Sequence, residues 1–299
     1  MTDAIRVMSD RVTNAGGSIM TGKALLFLFV LSAVGLAART SEATQGNLTI
    51  YQNTVLQEDH YGTITFGGDN IFLDCNDKKI IFDATVPTSY NCTTVFPMTC
   101  GIVAKGRYNA QIDKCHVEGK FGAGIYLWET KWALVSNSFV TGAPGDGLIA
   151  VYGDHLRLQN IRSTYNSGRG FFIMQIADYV KAAQLVAAYN GRQGIHVSYT
   201  NSIPQSLNLT ASTSTSNGGD GVFLSKTLGG IVDGNTIIQN GGIGLNVSSS
   251  APFKFSNNYS SGNQAGSPTG CDAAQTGLTN NTWTGNFFSY TCPTVPSPH

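Results

Sequence analysis

The sequence predicts an all-β chain wound as a single-stranded parallel solenoid, with coils of about 23 residues and capped ends. Three observations carry this. A glycine recurs at Gly101, Gly124, Gly147, Gly170, Gly194, Gly221 and Gly244, in steps of 23, 23, 23, 24, 27 and 23 residues. The first and third residues after each glycine are apolar, from Ile102 and Ala104 to Leu245 and Val247. That alternation is the period of a strand with one buried face. Ahead of the later glycines the chain repeats Asn-(Gly/Ser)-x-x-Gly, as in Asn190-Gly191-Arg192-Gln193-Gly194. Asn and Gly accept positive φ at little cost, which a tight corner demands. Stacked asparagines can also bond to one another along the axis.

Taken from the start, the chain first shows an apolar run, Ala24–Ala38, behind Lys23. Its 15 residues are short for a spanning helix, which needs roughly 20. With the small-residue exit Ser41-Glu42-Ala43, it has the form of a secretory signal peptide. Residues 1–43 are therefore expected to be a leader, 44–266 the solenoid, and 267–299 a cap and tail. The expected location is periplasmic or extracellular. The composition agrees with a turn-rich β chain: 35 glycines and only 12% charged residues. Lys plus Arg balance Asp plus Glu at 18 each, which argues against binding nucleic acid by phosphate neutralisation. No membrane contact is expected once the leader is gone.

Within the coils, a second apolar group follows the first by about ten residues, as in Ala133-Leu134-Val135 and Leu156-Arg157-Leu158. A third follows near Phe139-Val140 and Ile237-Ile238. Three short strands per turn describe a parallel β-helix. All six cysteines follow the leader and none forms C-x-x-C, which favours an oxidised framework. Cys75 and Cys115 are 40 residues apart, one 23-residue coil plus the 17-residue segment Ala84–Cys100. If that segment is an excursion, the two cysteines share a column of adjacent coils, about 4.8 Å apart, within disulfide reach. Cys92–Cys100 would then close the excursion and Cys271–Cys292 the C-terminal end. Gly270–Cys292, with Trp283, Phe287 and Phe288, departs from the repeat, and a solenoid needs such caps.

The segment Leu56-Gln57-Glu58-Asp59-His60-Tyr61-Gly62, leading into Asp69-Asn70-Ile71-Phe72-Leu73-Asp74-Cys75-Asn76, together with the repeat, resembles the right-handed parallel β-helix repeat family. This is the pectate-lyase-like superfold. The resemblance covers roughly 47–266. It implies a right-handed coil. For activity it implies only a range that includes lyases, hydrolases, epimerases, adhesins and binding modules.

Position two after each glycine should point outward, giving Val103, Tyr126, Ile149, Phe172, His196, Phe223 and Asn246. With Trp128, Glu129 and Tyr199 from positions four and five, this is an aromatic stripe on a face that should be polar. Such a stripe marks a binding surface or something packed on it. Tyr126, Trp128, Glu129, Phe172, Tyr199 and Phe223 are thus candidate polysaccharide contacts. Asp146, Arg169 and His196 climb one edge of the stripe in three successive coils. An acid, a cation and an imidazole there are the candidate catalytic set for C5 proton abstraction beside a uronate carboxylate. A non-catalytic solenoid binding glycan or a partner is the alternative. Asp154 with Asp178 remains a possible carboxylate pair, while Asp154-His155-x-Arg157 looks like a solvated corner. No carboxylate cluster of calcium type is visible, so neither metal nor cofactor is expected.

Overall fold

In the computed structural model the described residues are 39–41, 45–85, 92, 99–199, 205–264, 270–278 and 280–292. Every regular element among them is a β-strand, and every pairing between the strands is parallel. Ten strands stack into one sheet, here the front sheet: Leu48–Ile50, Ile64–Phe66, Cys100–Lys105, Ala123–Trp128, Asp146–Val151, Phe171–Met174, Ile195–Ser198, Val222–Ser225, Leu245–Ser248 and Ala273–Thr276. The remaining 18 form a second, bent sheet that closes the coil. The expected fold class is therefore observed. Residues 1–38 and 42–44, which include most of the expected leader, and most of the expected excursion lie outside the described residues. Arg39–Ser41, placed in the leader by the sequence, forms a strand against Thr54–Leu56. Among the described residues no helix is long and apolar enough to cross a membrane.

The front strands pair in the register of the glycine repeat, with Phe171 opposite Ile195 and Ile195 opposite Val222. Positions one and three fill the core: Ile125, Leu148, Phe171, Ile195 and Leu245 are all fully buried. The ladder continues through the segment expected to be a cap. Ala273–Thr276, Thr282–Thr284 and Phe287–Phe288 each add a strand to the preceding coil. Trp283 packs on the end of the core, stacked 4.1 Å from Phe255.

The corners are made by columns of left-handed residues. One column bends the second sheet at Lys114, Asn137, Asn160, Gln184, Ala211, Gly234 and Asn257. Another precedes the repeated asparagine at Tyr165, Tyr189, Ser216, Gln239 and Gly262, and begins one coil earlier at Gly142, before Ala143. Positive φ thus falls one residue before the asparagines of the turn motif, not on them. Asn166, Asn190, Asn217, Asn240 and Asn263 are buried instead. Each Nδ2 donates to the Oδ1 of the next, and the run ends on Asp272 Oδ1, with N···O of 2.8–2.9 Å. Each Oδ1 also accepts a backbone N–H from the preceding coil. A second ladder, Asn235, Asn258 and Asn286, lies at the other bend.

The register glycines serve close approach rather than left-handed φ. A Cβ on Gly221 would lie 2.8 Å from Gly244 O and 2.7 Å from Asn240 Nδ2. All six cysteines are paired, as Cys75–Cys115, Cys92–Cys100 and Cys271–Cys292. The first links two coils with a Cα–Cα distance of 4.7 Å.

Asn217 tests the ladder. Its Nδ2 donates to Ala187 O, Ser214 Oγ and Asn240 Oδ1, and its Oδ1 accepts from the backbone N–H and Nδ2 of Asn190. Asn217→Ala should destabilise the chain by about 2–4 kcal/mol, because each orphaned buried polar group costs ~1–3 kcal/mol. Urea unfolding followed by circular dichroism reads this. The exposed Arg192→Ala should stay within about 0.5 kcal/mol of the parent.

Candidate functional site

The outer face of the front sheet divides into a sealed part and a half-open part. In the outward column Val103, Tyr126 and Ile149 are only 8%, 1% and 8% exposed. They form a second apolar cluster, outside the solenoid core, with Cys92, Cys100, Ala123 and Val151. The disulfide to Cys100 holds Cys92 against this face. Tyr126, expected as a sugar platform, is therefore buried, and burial pushes its hydroxyl well above the usual tyrosine range. Tyr199 is also buried, within the main core. Its coil takes 27 residues rather than 23, and Tyr199 lacks the left-handed φ that Glu129, Tyr152, Gln175 and Lys226 adopt at the equivalent corner. Neither tyrosine presents a face to a ligand.

Phe172, His196 and Phe223 remain half-buried and follow one another along the column. Ring centres are 5.2 Å apart from Phe172 to His196 and 4.8 Å from His196 to Phe223. Met174 lies half-buried on the coil of Phe172, and Trp128 two coils earlier; both pack on the sealed cluster. Trp128 meets the exposed Tyr152 edge to face at 4.8 Å, and Glu129 is exposed next to it.

Asp146, Arg169 and His196 do come together. Arg169 grips Asp146 with two side-chain bonds, Nε to Oδ1 at 3.1 Å and Nη2 to Oδ2 at 3.0 Å. Its backbone N–H adds a third, to Oδ1 at 2.6 Å. The guanidinium carbon sits 3.4 Å from the centre of the Phe172 ring, a close cation–π contact. Arg169 Nη1 then lies 3.2 Å from His196 Nδ1. Arginine can only donate, so Nδ1 accepts and the neutral imidazole carries its proton on Nε2. That nitrogen is buried without a hydrogen-bond partner. Burial, and then the Arg169 charge, lower the His196 pKa to about 4.

This chemistry is closed on itself. Asp146 commits both oxygens to Arg169. One nitrogen of His196 is occupied and the other is sealed from solvent. Nothing in the set is a free base toward a ligand. Farther along, Asp220 accepts from the Ile243 N–H and from Asn246 Nδ2, and burial raises its pKa. A different group collects at another corner. Asp154, His155 and Asp178 place their ligand atoms within 4.8 Å of one another. The repeat spacing already pairs Asp154 with Asp178, but it expects no metal, because it does not show that the His155 ring turns toward the two carboxylates.

The model of the right handed beta helix region matches residues 80–225, the same stretch that carries these stacked columns. The chain is a right-handed parallel β-helix. A second family model, described as periplasmic copper-binding protein (NosD), matches residues 177–293 of the β-helix. A search of curated proteins finds no match. Among solved structures, the β-helix is similar to the Azotobacter vinelandii mannuronan C-5 epimerase AlgE4 A-module. The TM-score is 0.58 at 16% identity, covering 80% of this chain and 68% of that one. It also matches pectate lyase Pel9A with a TM-score of 0.49 at 18% identity, covering 85% and 72%. At these identities the likeness is one of fold.

The depressed pKa of His196 has a consequence for stability. The folded value is about 4 against an ordinary 6.5, so the unfolded chain binds the proton more readily. Above pH 6.5 both states are neutral and no penalty exists; stability falls as the pH drops from there toward about 4. His196→Phe should remove on the order of 2 kcal/mol of that pH dependence, measured as urea midpoints across this range. A parallel loss in parent and variant would contradict it.

Proposed function

We propose that this chain is an exported β-helix that holds a polysaccharide on its outer face without turning it over. The observation that carries the reading is the half-open run Phe172–His196–Phe223, bordered by the Asp146–Arg169 pair, on a sheet face whose continuation is sealed. Sugar rings stack on aromatic faces while flanking polar groups take hydroxyls, and a half-open aromatic strip on the solvent side of a sheet is the usual mark of binding. Phe172 and Phe223 are assigned as the stacking residues, with Trp128 and Glu129 extending the surface. A structure of similar fold belongs to a mannuronan C-5 epimerase, which supports a polysaccharide as the ligand class. Three disulfides support an oxidising compartment.

Asp146, Arg169 and His196 are assigned a positioning role. The ion pair fixes the guanidinium over Phe172, and the imidazole fills the gap between the two phenyl rings. A C5 proton abstraction would require a base facing the ligand. In this arrangement Asp146 is neutralised by Arg169, and His196 already carries its proton on a buried nitrogen.

Binding to immobilised mannuronan and polygalacturonate tests the reading. The parent should bind at least one of them. Phe172→Ala and Phe223→Ala should each weaken binding by about three- to tenfold, the equivalent of ~0.5–1.5 kcal/mol per aromatic contact. Neither polymer should yield unsaturated or epimerised product. Turnover that disappears in His196→Ala would reverse the assignment in favour of an enzyme.

A further inference from the structure

Trp132, His155 and Asp178 occupy one corner position in three successive coils. Backbone bridges link Lys131 to Asp154, and Asp154 pairs with Ala177, so the residues that follow each of these are stacked. All three are left-handed, with φ of 58°, 50° and 62°. A register shift between Asp154 and Leu156 marks a bulge at the same place. The imidazole of His155 lies flat on the Trp132 indole, ring centres 3.8 Å apart and planes 14° from parallel. Its Nδ1 contacts Asp154 Oδ1 directly. Asp178, one coil farther on, brings its carboxylate to the same point.

We propose that Asp154, His155 and Asp178 bind one divalent transition-metal ion of the zinc class. The donor set is one imidazole nitrogen and two carboxylates, each able to give one atom to a common centre. Zinc takes such ligands at about 2.0–2.2 Å and, in open sites, three from protein with water in the fourth position. Two ligand atoms at tetrahedral angles on one such ion are roughly 3.3–3.6 Å apart. The three ligand atoms lie within 4.8 Å of one another, and rotation of the exposed Asp178 side chain brings its carboxylate in to that spacing. Calcium is a poorer fit, because it takes 6–8 oxygens and this cluster supplies a nitrogen in place of one. Trp132 is a positioning residue: its stacked ring holds the imidazole edge toward the carboxylates, as outer partners orient metal-bound histidines elsewhere. The site uses none of the residues assigned to the polysaccharide.

Titration calorimetry of the full chain with zinc chloride at neutral pH should show a single site. His155→Ala and Asp178→Asn should each weaken it by about tenfold or more, and Trp132→Ala by a smaller factor. Equimolar calcium should leave the zinc isotherm unchanged. Asp178 is exposed, so its variant folds even where that of His155 does not. Absence of zinc binding, full retention of it in Asp178→Asn, or displacement by calcium would each overturn the proposal.

Discussion

Each described strand bonds to its equivalents one coil before and one coil after, so each coil must repeat its neighbour closely enough for amides and carbonyls to meet. That single requirement generates the rest. Residues at equivalent positions are forced into columns, and each column must solve the same steric and polar problem at every level. Where strands approach closely, the column is glycine. Where the path bends, it is a run of left-handed residues. Where backbone amides would be stranded at a bend, it is asparagine, whose side chain accepts from one coil and donates to the next. The ladder ends on Asp272, which accepts from Asn263 and from the Tyr290 N–H.

The same stacking governs the outer face. Aromatic side chains in successive coils meet ring to ring, which leaves long apolar strips that water cannot satisfy. The chain manages this in two ways. Over Val103, Tyr126 and Ile149 the face is covered, with Cys92 pinned against it by a disulfide. Farther along, the strip Phe172–His196–Phe223 stays half-open, with Arg169 drawn across one end. Arg169 satisfies Asp146 and His196 at once, so the charges at that edge are spent internally. A surface of this kind suits a ligand that brings ring faces and hydroxyls better than one that needs a proton removed.

Much of the fold was legible because solenoid physics is local and periodic. The glycine spacing placed the front strands, and subtracting the 17-residue excursion from the Cys75 to Cys115 interval put those two cysteines in one column. The asparagine run was legible as a ladder, although its φ values were not: the left-handed residue is the one before it, Tyr165 or Tyr189, because the asparagine side chain must point inward. The C-terminal coil was harder. Trp283 and Phe287 break the glycine signature while still pairing with Phe255 and Tyr259.

The sequence by itself determined the period, the inward and outward alternation and the stacking order, since these follow from neighbours along one strand and one fixed repeat. It therefore placed Asp146, Arg169 and His196 side by side. Only the tertiary structure decided what each side chain was free to do. Tyr126 is lost to a cover and Tyr199 to the core: the repeat shows the excursion and the 27-residue step as interruptions, but not which side chains they bury. The protonation of His196 depends on which nitrogen Arg169 reaches, and that is set by rotamers across coils. Asp154, His155 and Asp178 meet at a bulge, where register slips and counting residues no longer predicts which atoms converge.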